Sequence, residues 1–395
     1  MSKMIIKCFP ADYGDCILVT ICNATEKYNI LIDCGFTNTY NMYVKNELEN
    51  LKALDLLVLT HIDIDHIQGA IELFNDKELT NCLDIKDIWF NDIYKLCQNK
   101  GFSANLKNTD NNNTSDMQMF DENVGAKQGM KLANYIYESR YYPVWNKDDT
   151  IIQCDTGLYK VMYPLNNQIK FVLLSPTEDR IERLMKDWGK KLDIDLSKIL
   201  LSQRQIVDFY ELYGIEICEE VFDENCANKQ INIEKLAEED YKYQSVINNS
   251  SIAFFIEYNN KRLLFLGDSN PQDVAVALKR YKIDMQIEDL HFDLVKVSHH
   301  GSKNNTNNSL METITADRFL ISTNGEKFGH PDDECLSKII FKQKTHKELY
   351  FNYFRKDIRD KYCDTELMTN YSYNISFPDE KKKILNFARY QNLKF

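Results

Sequence analysis

No run in this sequence approaches the roughly 20 apolar residues that a membrane-crossing helix requires, so no such helix is expected. No C-x-x-C pair occurs among the eleven cysteines; scattered thiols of this kind suit a reducing compartment better than a disulfide framework. Positive charge is short, with 48 Lys and Arg against 60 Asp and Glu, a formal net charge of −12. Surfaces that coat DNA are usually basic, because Lys and Arg displace counterions from phosphates, so passive nucleic-acid binding is disfavoured. A nuclease is not excluded, since bound cations can supply positive charge where a phosphate sits. Asp12 and Asp15 stand where a signal peptide would need its apolar core, and a cytoplasmic location is expected. Linkers rich in Pro, Gly or Ser are missing. The expectation is one domain over 1–395, interrupted by an insertion over 82–249.

Two parts of the chain share a pattern. Cys16–Cys22, a turn at Asn23–Lys27 and Tyr28–Ile32 read as a hairpin that ends at Asp33. Ser251–Tyr258, a tight turn at Asn259-Asn260 and Lys261–Leu266 read as a second, ending at Gly267-Asp268. A buried-type strand then ends in a hydroxyl residue and a histidine in each case: Asp55-Leu-Leu-Val-Leu-Thr-His61 and Asp293-Leu-Val-Lys-Val-Ser-His299. This predicts a duplicated β-rich half, folded as two packed sheets whose Asp and His loops open along one edge. Between the halves, Asn108–Ser115 reads as a loop. Asp179–Trp188, Ser197–Tyr213 and Ile233–Tyr243 read as helices, and further on Glu348–Phe354 reads as a strand.

The chain has seven histidines, and five fall into three short segments just after strands. In His61-Ile-Asp63-Ile-Asp65-His66, alternating side chains at 61, 63 and 65 can share a face while His66 turns to a neighbouring site. Imidazole mixed with carboxylate suits Zn²⁺ or Mn²⁺, and more oxygen ligands favour the harder ion. Asp268, behind Gly267, can bridge two ions. Ser298-His299-His300-Gly301-Ser302-Lys303 sets two imidazoles and an ammonium beside an anionic substrate, and Phe328-Gly329-His330-Pro331 holds a histidine in a turn.

These segments, in this order, resemble the metallo-β-lactamase superfamily, and within it the ComEC-type branch: the nuclease-like domain of DNA-uptake proteins and its stand-alone relatives. The resemblance covers Ile5 to Asp33, Leu54 to Gly69, Asn248 to Asp268 and Asp293 to His330. Asp63 in place of the second histidine of H-x-H-x-D-H and the SHHGSK segment are its most specific marks. It implies an α/β (α+β) fold, the αββα sandwich of that superfamily with a largely helical insertion. It also implies one or two divalent ions (Zn²⁺ or Mn²⁺, or else Mg²⁺) held by His61, Asp63, Asp65, His66, Asp268 and His330. His299 and His300 map onto a segment that contacts metal or the scissile phosphate. Two departures stand out. The superfamily has a further ligand histidine before the Gly-Asp, yet no histidine occurs from 67 to 290, and Ser175 stands near the corresponding position. Gln68 also replaces a glycine.

The expected reaction is phosphodiester hydrolysis. Asp65 would orient the water and take its proton, while His299, His300 and Lys303 would stabilise charge developing on oxygen. DNA is the preferred substrate on the strength of the resemblance, which also suggests an anti-phage effector with a protein partner and no membrane. A cyclic nucleotide, a phosphocholine ester or a lactone is the alternative. A catalytically silent scaffold is the second, motivated by the absent histidine. A track of Lys and Arg into the site would favour DNA; a pocket lined by the insertion would favour the small molecule.

Overall fold

A computed structural model describes residues 3–92, 95–96, 124–191, 231–241, 245–378 and 385–386. The loop expected at Asn108–Ser115 and the helix expected at Ser197–Tyr213 lie outside them.

Continuous apolar runs such as Ile17–Cys22 and Ala253–Tyr258 fit strands buried on both faces, and that is where they fall. In chain order the strands are β1 Lys3–Cys8, β2 Ile17–Cys22, β3 Lys27–Ile32, β4 Leu56–Leu59, β5 Ile88–Phe90, β6 Lys160–Met162 and β7 Lys170–Ser175. Then come β8 Ala253–Tyr258, β9 Lys261–Phe265, β10 Leu294–Lys296, β11 Arg318–Ile321, β12 Lys347–Phe351, β13 Tyr373–Ser376 and β14 Leu385–Asn386. One six-stranded sheet runs β14-β1-β2-β3-β4-β5, and one eight-stranded sheet runs β13-β12-β11-β10-β9-β8-β7-β6. The expected duplication is visible in the pairing. The hairpin β2–β3 is antiparallel and β3 pairs parallel with β4; the hairpin β8–β9 is antiparallel and β9 pairs parallel with β10. Asn259 and Asn260 both have positive φ, 49° and 59°, as a primed hairpin turn requires.

Alternation along these strands builds four layers. Val19, Ile30 and Val58 meet Phe171, Phe254 and Phe265 between the sheets. Leu18, Leu31 and Leu57 face the other way, onto the helix α1 Ile64–Asn75 and the helix α2 Val124–Glu138. Val172, Phe255 and Leu264 do the same for the helix α4 Pro271–Asp284 and the helix α5 Asp333–Lys342; α3 is Glu178–Lys191, within the insertion. Ile67, Ala70, Ile71 and Phe74 give α1 its apolar stripe at helical spacing, and Val274, Ala277, Leu278 and Tyr281 do so for α4. The result is a mixed α/β molecule consistent with the metallo-β-lactamase fold.

The described residues of 82–249 contain strands as well as the helices Val124–Glu138, Glu178–Lys191 and Ile233–Glu238. Ile88–Phe90 adds β5 to the first sheet, and β6 and β7 close the edge of the second. Ile88-Trp-Phe90 and Phe171-Val-Leu-Leu174 are fully buried apolar stretches, too short for helices; the first pairs with β4 at the sheet edge and the second lies between β6 and β8. The helix read at Ile233–Tyr243 is shorter, Ile233–Glu238, and the strand read at Glu348–Phe354 is Lys347–Phe351. The described cysteines are free thiols, mostly buried. No helix among the described residues is long and apolar enough to cross a membrane.

Candidate metal centre

Strands β3, β4, β9, β10 and β11 end at one edge, and the chain leaves each of them as a loop. Thr60-His61 follows β4, Asp33 follows β3, Gly267-Asp268 follows β9, His299-His300 follows β10 and Ser322 follows β11. The carboxyl ends of parallel strands are the usual place for a site in such sheets. The two sheets are tied here by the Ile252 N–H donating to the Thr60 carbonyl at 2.9 Å.

His61, His66 and Asp268 form one group of donors, and Asp65, His66 and His300 form another; within each group the atoms lie within 4.8 Å of one another. His66 Nε2 is 3.6 Å from Asp65 and 3.7 Å from Asp268, and His61 Nε2 is 3.3 Å from Asp63 and 3.7 Å from Asp268. His300 Nε2 is 3.2 Å from Asp65, and His299 Nε2 is 3.6 Å from Asp268. His61, His66, Asp268 and His300 form a buried floor, while Asp63, with 36% of its side chain exposed, and Asp65 and His299, each 13%, form the rim. Asp63 is also the N-cap of α1 yet makes no side-chain cap bond. Its carboxylate is turned to His61 instead, against the usual preference of an N-cap aspartate.

Each ring is held from behind. His66 Nδ1 donates to Asp33 Oδ2 at 2.8 Å, His300 Nδ1 to the Ser322 carbonyl at 2.8 Å, and His299 Nδ1 to Asn305 Oδ1 at 2.8 Å. His61 Nδ1 lies 3.0 Å from Thr60 Oγ1 and 3.4 Å from Ser251 Oγ. An acceptor behind Nδ1 fixes the tautomer and turns the Nε2 lone pair forward, as metal-ligating histidines almost always require. Forward of these rings, His61 Nε2, His66 Nε2, His300 Nε2 and Asp268 Oδ1 are buried with no hydrogen-bond partner. Polar atoms left so in a folded interior call for an ion or an equivalent group. The residues fit a divalent metal.

The charges agree with that reading. Burial pushes the His66 imidazole down, but Asp33, then Asp268 and Asp65, outweigh it and raise its pKa well above the ordinary value. Burial pushes the Asp65 carboxyl up, yet His66 and His300 bring it down to about 2. Asp268 is held well below the usual carboxylate range by His299, His66 and His61 against its burial. His299 is lowered, chiefly by its burial. So many carboxylates packed together stay ionised only where positive charge is present.

Backbone geometry serves the same end. Asp33, His299 and His300 adopt left-handed φ of 54°, 45° and 55°, which costs roughly 1–2 kcal/mol each for non-glycine residues; such outliers cluster at functional sites. Gly267, at φ +49°, lets the chain turn so that Asp268 points inward, and a Cβ there would lie 2.4 Å from Ser251 Oγ.

Of the sequence-derived candidates, the structure brings together His61, Asp63, Asp65, His66, Asp268, His299 and His300. His330 lies one ring further out, with its centroid 5.6 Å from that of His299 and its Nδ1 3.5 Å from Asp332. Lys303 is turned aside, its ammonium 4.7 Å from the Tyr241 ring centroid and 3.6 Å from Glu334. His299 and His300 both face the centre through Nε2, with Nδ1 engaged behind. Asp15, Asp33, Lys296, Asn305 and Ser322 were not singled out as site residues. Lys296 Nζ, fully buried, donates to Asp15 Oδ2 at 2.5 Å, and Asn305 Nδ2 donates to the Asp268 carbonyl at 2.9 Å. A lysine inside the apolar run of β10 was the available signal. Ser175 ends β7 beside Ala253, wholly buried.

Fold and site define a layered α/β/β/α protein with a candidate divalent-metal centre at the sheet edge. Residues 10–80 match the family model described as the Metallo-beta-lactamase superfamily, which suggests a metal-dependent hydrolase. That stretch contains Asp15, Asp33 and His61 to His66, whereas Asp268, His299 and His300 join them through the fold. No curated protein matches in sequence. Among solved structures, the metallo-beta-lactamase fold protein YhfI from Bacillus subtilis is similar at 12% identity and TM-score 0.40, over 97% of this chain and 100% of that one. A variant of CmlA beta-hydroxylase gives 9% and 0.34, over 97% and 53%. A protein of unknown function from Enterococcus faecalis gives 9% and 0.29, over 96% and 78%. Scores this low carry no weight of their own.

Proposed function

We propose that this protein is a metal-dependent phosphodiester hydrolase, a nuclease acting on DNA. The observation that carries the reading is the set of inward-facing, unpartnered Nε2 and carboxylate atoms, with the histidine rings anchored from behind. His61, His66 and Asp268, with Asp63 beside His61, would hold one ion, and Asp65 and His300 would hold a second. When bound, Zn²⁺, Mn²⁺ or Mg²⁺ supplies positive charge that polarises the phosphoryl group and eases the deprotonation of water.

The chain's own groups do the rest. Asp65, ionised and on the rim, accepts a hydrogen bond from the attacking water and then its proton. His300 Nε2, 3.2 Å from Asp65, would stand beside it on the same ion. His299, neutral with Nε2 facing inward, accepts a proton or adds a ligand. Asp33 and Ser322 keep the rings aimed, and the buried floor excludes bulk water.

The resemblance to ComEC-type proteins supports DNA as the substrate and a protein partner from an anti-phage system. One observation favours the small-molecule alternative: a cleft is lined partly by insertion residues Arg180, Arg183 and Tyr241, with Asn270 and Asn304 from the loops that carry the metal donors. The test is incubation with plasmid, linear and single-stranded DNA, cyclic nucleotides and bis(4-nitrophenyl) phosphate, in Mn²⁺, Mg²⁺ and Zn²⁺. Cleavage by the wild type and its loss in Asp65→Ala are expected. Equal behaviour of the two proteins on every substrate would sink the assignment.

A further inference from the structure

The cleft has a volume of about 650 Å³, within the roughly 300–1,000 Å³ of small-ligand sites. Its walls grow from the loops that build the metal centre. Asn270 stands two residues after Asp268, and Asn249 two residues before Ser251, whose hydroxyl touches His61. Asn304 and Asn307 flank Asn305, which holds His299. The loops that carry Asp268, Ser251 and Asn305 therefore also supply walls of the cleft. The far wall is Arg180 and Arg183 of α3, with Tyr241 after it in the chain.

We propose that this cleft is a nucleotide subsite, holding one nucleotide of the phosphodiester substrate with its base against Tyr241 and its phosphate toward Arg183. The proposal rests on the phosphodiesterase reading and adds the residues that would hold the nucleotide.

Three properties point to a nucleotide rather than a bare phosphate or an apolar ligand. First, the cationic charge available to a ligand comes from Arg183. Arg180 is spent on Asp273, which it grips at 2.5 and 3.1 Å, whereas the exposed Arg183 has no carboxylate partner among the described residues. Asp240, the acid in the lining, accepts from the Asn308 N–H at 3.0 Å and lies 3.6 Å from Lys338. Second, Tyr241 is fixed. Its hydroxyl donates to Glu239 at 2.7 Å and lies 3.2 Å from Glu334, with Lys303 over the ring. A held aromatic ring is a stacking platform for a base. Third, the amides are set in place by the wall. Asn270 Oδ1 accepts from the Gln272 and Asp273 N–H groups while its Nδ2 donates to Asn249. Asn307 Oδ1 accepts from the Leu310 N–H while its Nδ2 donates to Gln272. Each Nδ2 carries a second hydrogen, a donor suited to the acceptor edges of a base or sugar. Donors at fixed positions bind without first being ordered.

The experiment is isothermal titration of the full-length, EDTA-treated protein with AMP, a deoxyadenylate hexamer, ribose 5-phosphate and inorganic phosphate. AMP should bind at least about tenfold more tightly than ribose 5-phosphate or inorganic phosphate. Tyr241→Ala should weaken AMP about fivefold or more, the range of base stacking on an aromatic ring, and Tyr241→Phe should stay within about threefold of wild type. Arg183→Ala should weaken AMP about tenfold, and Arg280→Ala, on the outer face of α4, should not. A hexamer bound much more tightly than AMP assigns the subsite to a strand; equal affinities assign it to a free nucleotide. Phosphate competing as well as AMP, or AMP binding unchanged in Tyr241→Ala and Arg183→Ala, would overturn the proposal. Hydrolysis of bis(4-nitrophenyl) phosphate by the metal-loaded wild type is scored separately. Its absence counts against the phosphodiesterase reading, while the metal-free titrations judge the subsite.

Discussion

Exchanging Asp33 for asparagine replaces one oxygen by NH₂ and removes one charge, yet the structure makes it a severe change for metal binding. Asp33 Oδ1 accepts from the Thr60 N–H at 2.8 Å; Oδ2 accepts from Thr60 Oγ1 at 2.9 Å and from His66 Nδ1 at 2.8 Å. Asparagine has one acceptor and one donor, so it fails in either orientation. With its nitrogen toward His66, the ring must move its proton to Nε2, and a hydrogen then points into the centre where a lone pair is needed. With its nitrogen toward Thr60, two buried N–H groups face each other, an unmet donor costing about 1–3 kcal/mol. The backbone is not the cause, because asparagine accepts the left-handed φ of 54° at least as readily as aspartate. The expected outcome is a loss of Zn²⁺ or Mn²⁺ affinity of about ten- to a hundredfold, the usual effect of removing such a supporting carboxylate. Titration against a chromophoric chelator reads it directly, and the rise in melting temperature on adding metal should shrink in step. Wild-type affinity in Asp33→Asn, with the protein folded by circular dichroism, would refute the argument that the groups behind the rings set the donors.

The buried carboxyl of Asp87 is raised to about 6, chiefly by desolvation, with Lys147 opposing. Its folded pKa lies above the unfolded value of 3.8, so folding takes up a proton between these values and stability from this group falls as pH rises from about 4 to about 6. Wild type should lose up to about 3 kcal/mol relative to Asp87→Asn across that window, at about 1.36 kcal/mol per pH unit; parallel urea-melt curves for the two proteins would contradict this. Lys296→Met should destabilise the fold by about 3–5 kcal/mol, because it leaves the Asp15 carboxylate buried without its cation. Adding Asp15→Asn should recover most of that loss in urea melts, and a single-variant cost under about 1 kcal/mol would show that the pair is solvated.

Much of the layout was legible in the sequence because it is local. Two hairpins ending in aspartate, each within 18 consecutive residues and each followed by a strand ending in histidine, are local patterns, and β2–β4 and β8–β10 follow them. His61-x-Asp63-x-Asp65-His66 is equally compact. Ile88–Phe90 and Lys170–Ser175 were absorbed into an expected helical segment because short apolar runs do not separate strand from buried helix; sheet partners far along the chain decide them. The supporting groups were hidden for another reason. Asp33, Asn305 and Ser322 are ordinary residue types whose role comes from the atom they meet across the fold, not from their neighbours in sequence. Lys303 and Lys296 show the difference most sharply. Lys303 follows the two histidines and reads as the cation of the site, yet its ammonium is turned to Tyr241 and Glu334. Lys296, inside Leu-Val-Lys-Val, interrupts a buried apolar strand, and a cation fully buried there needs a counter-charge. That counter-charge is Asp15, from the loop before β2, and the Asp15 N–H also donates to the Asp65 carbonyl at 3.3 Å. One buried pair therefore ties the second sheet to the loop against which the proposed catalytic carboxylate is held, so the charge that looks misplaced in the sequence aligns the two halves of the centre.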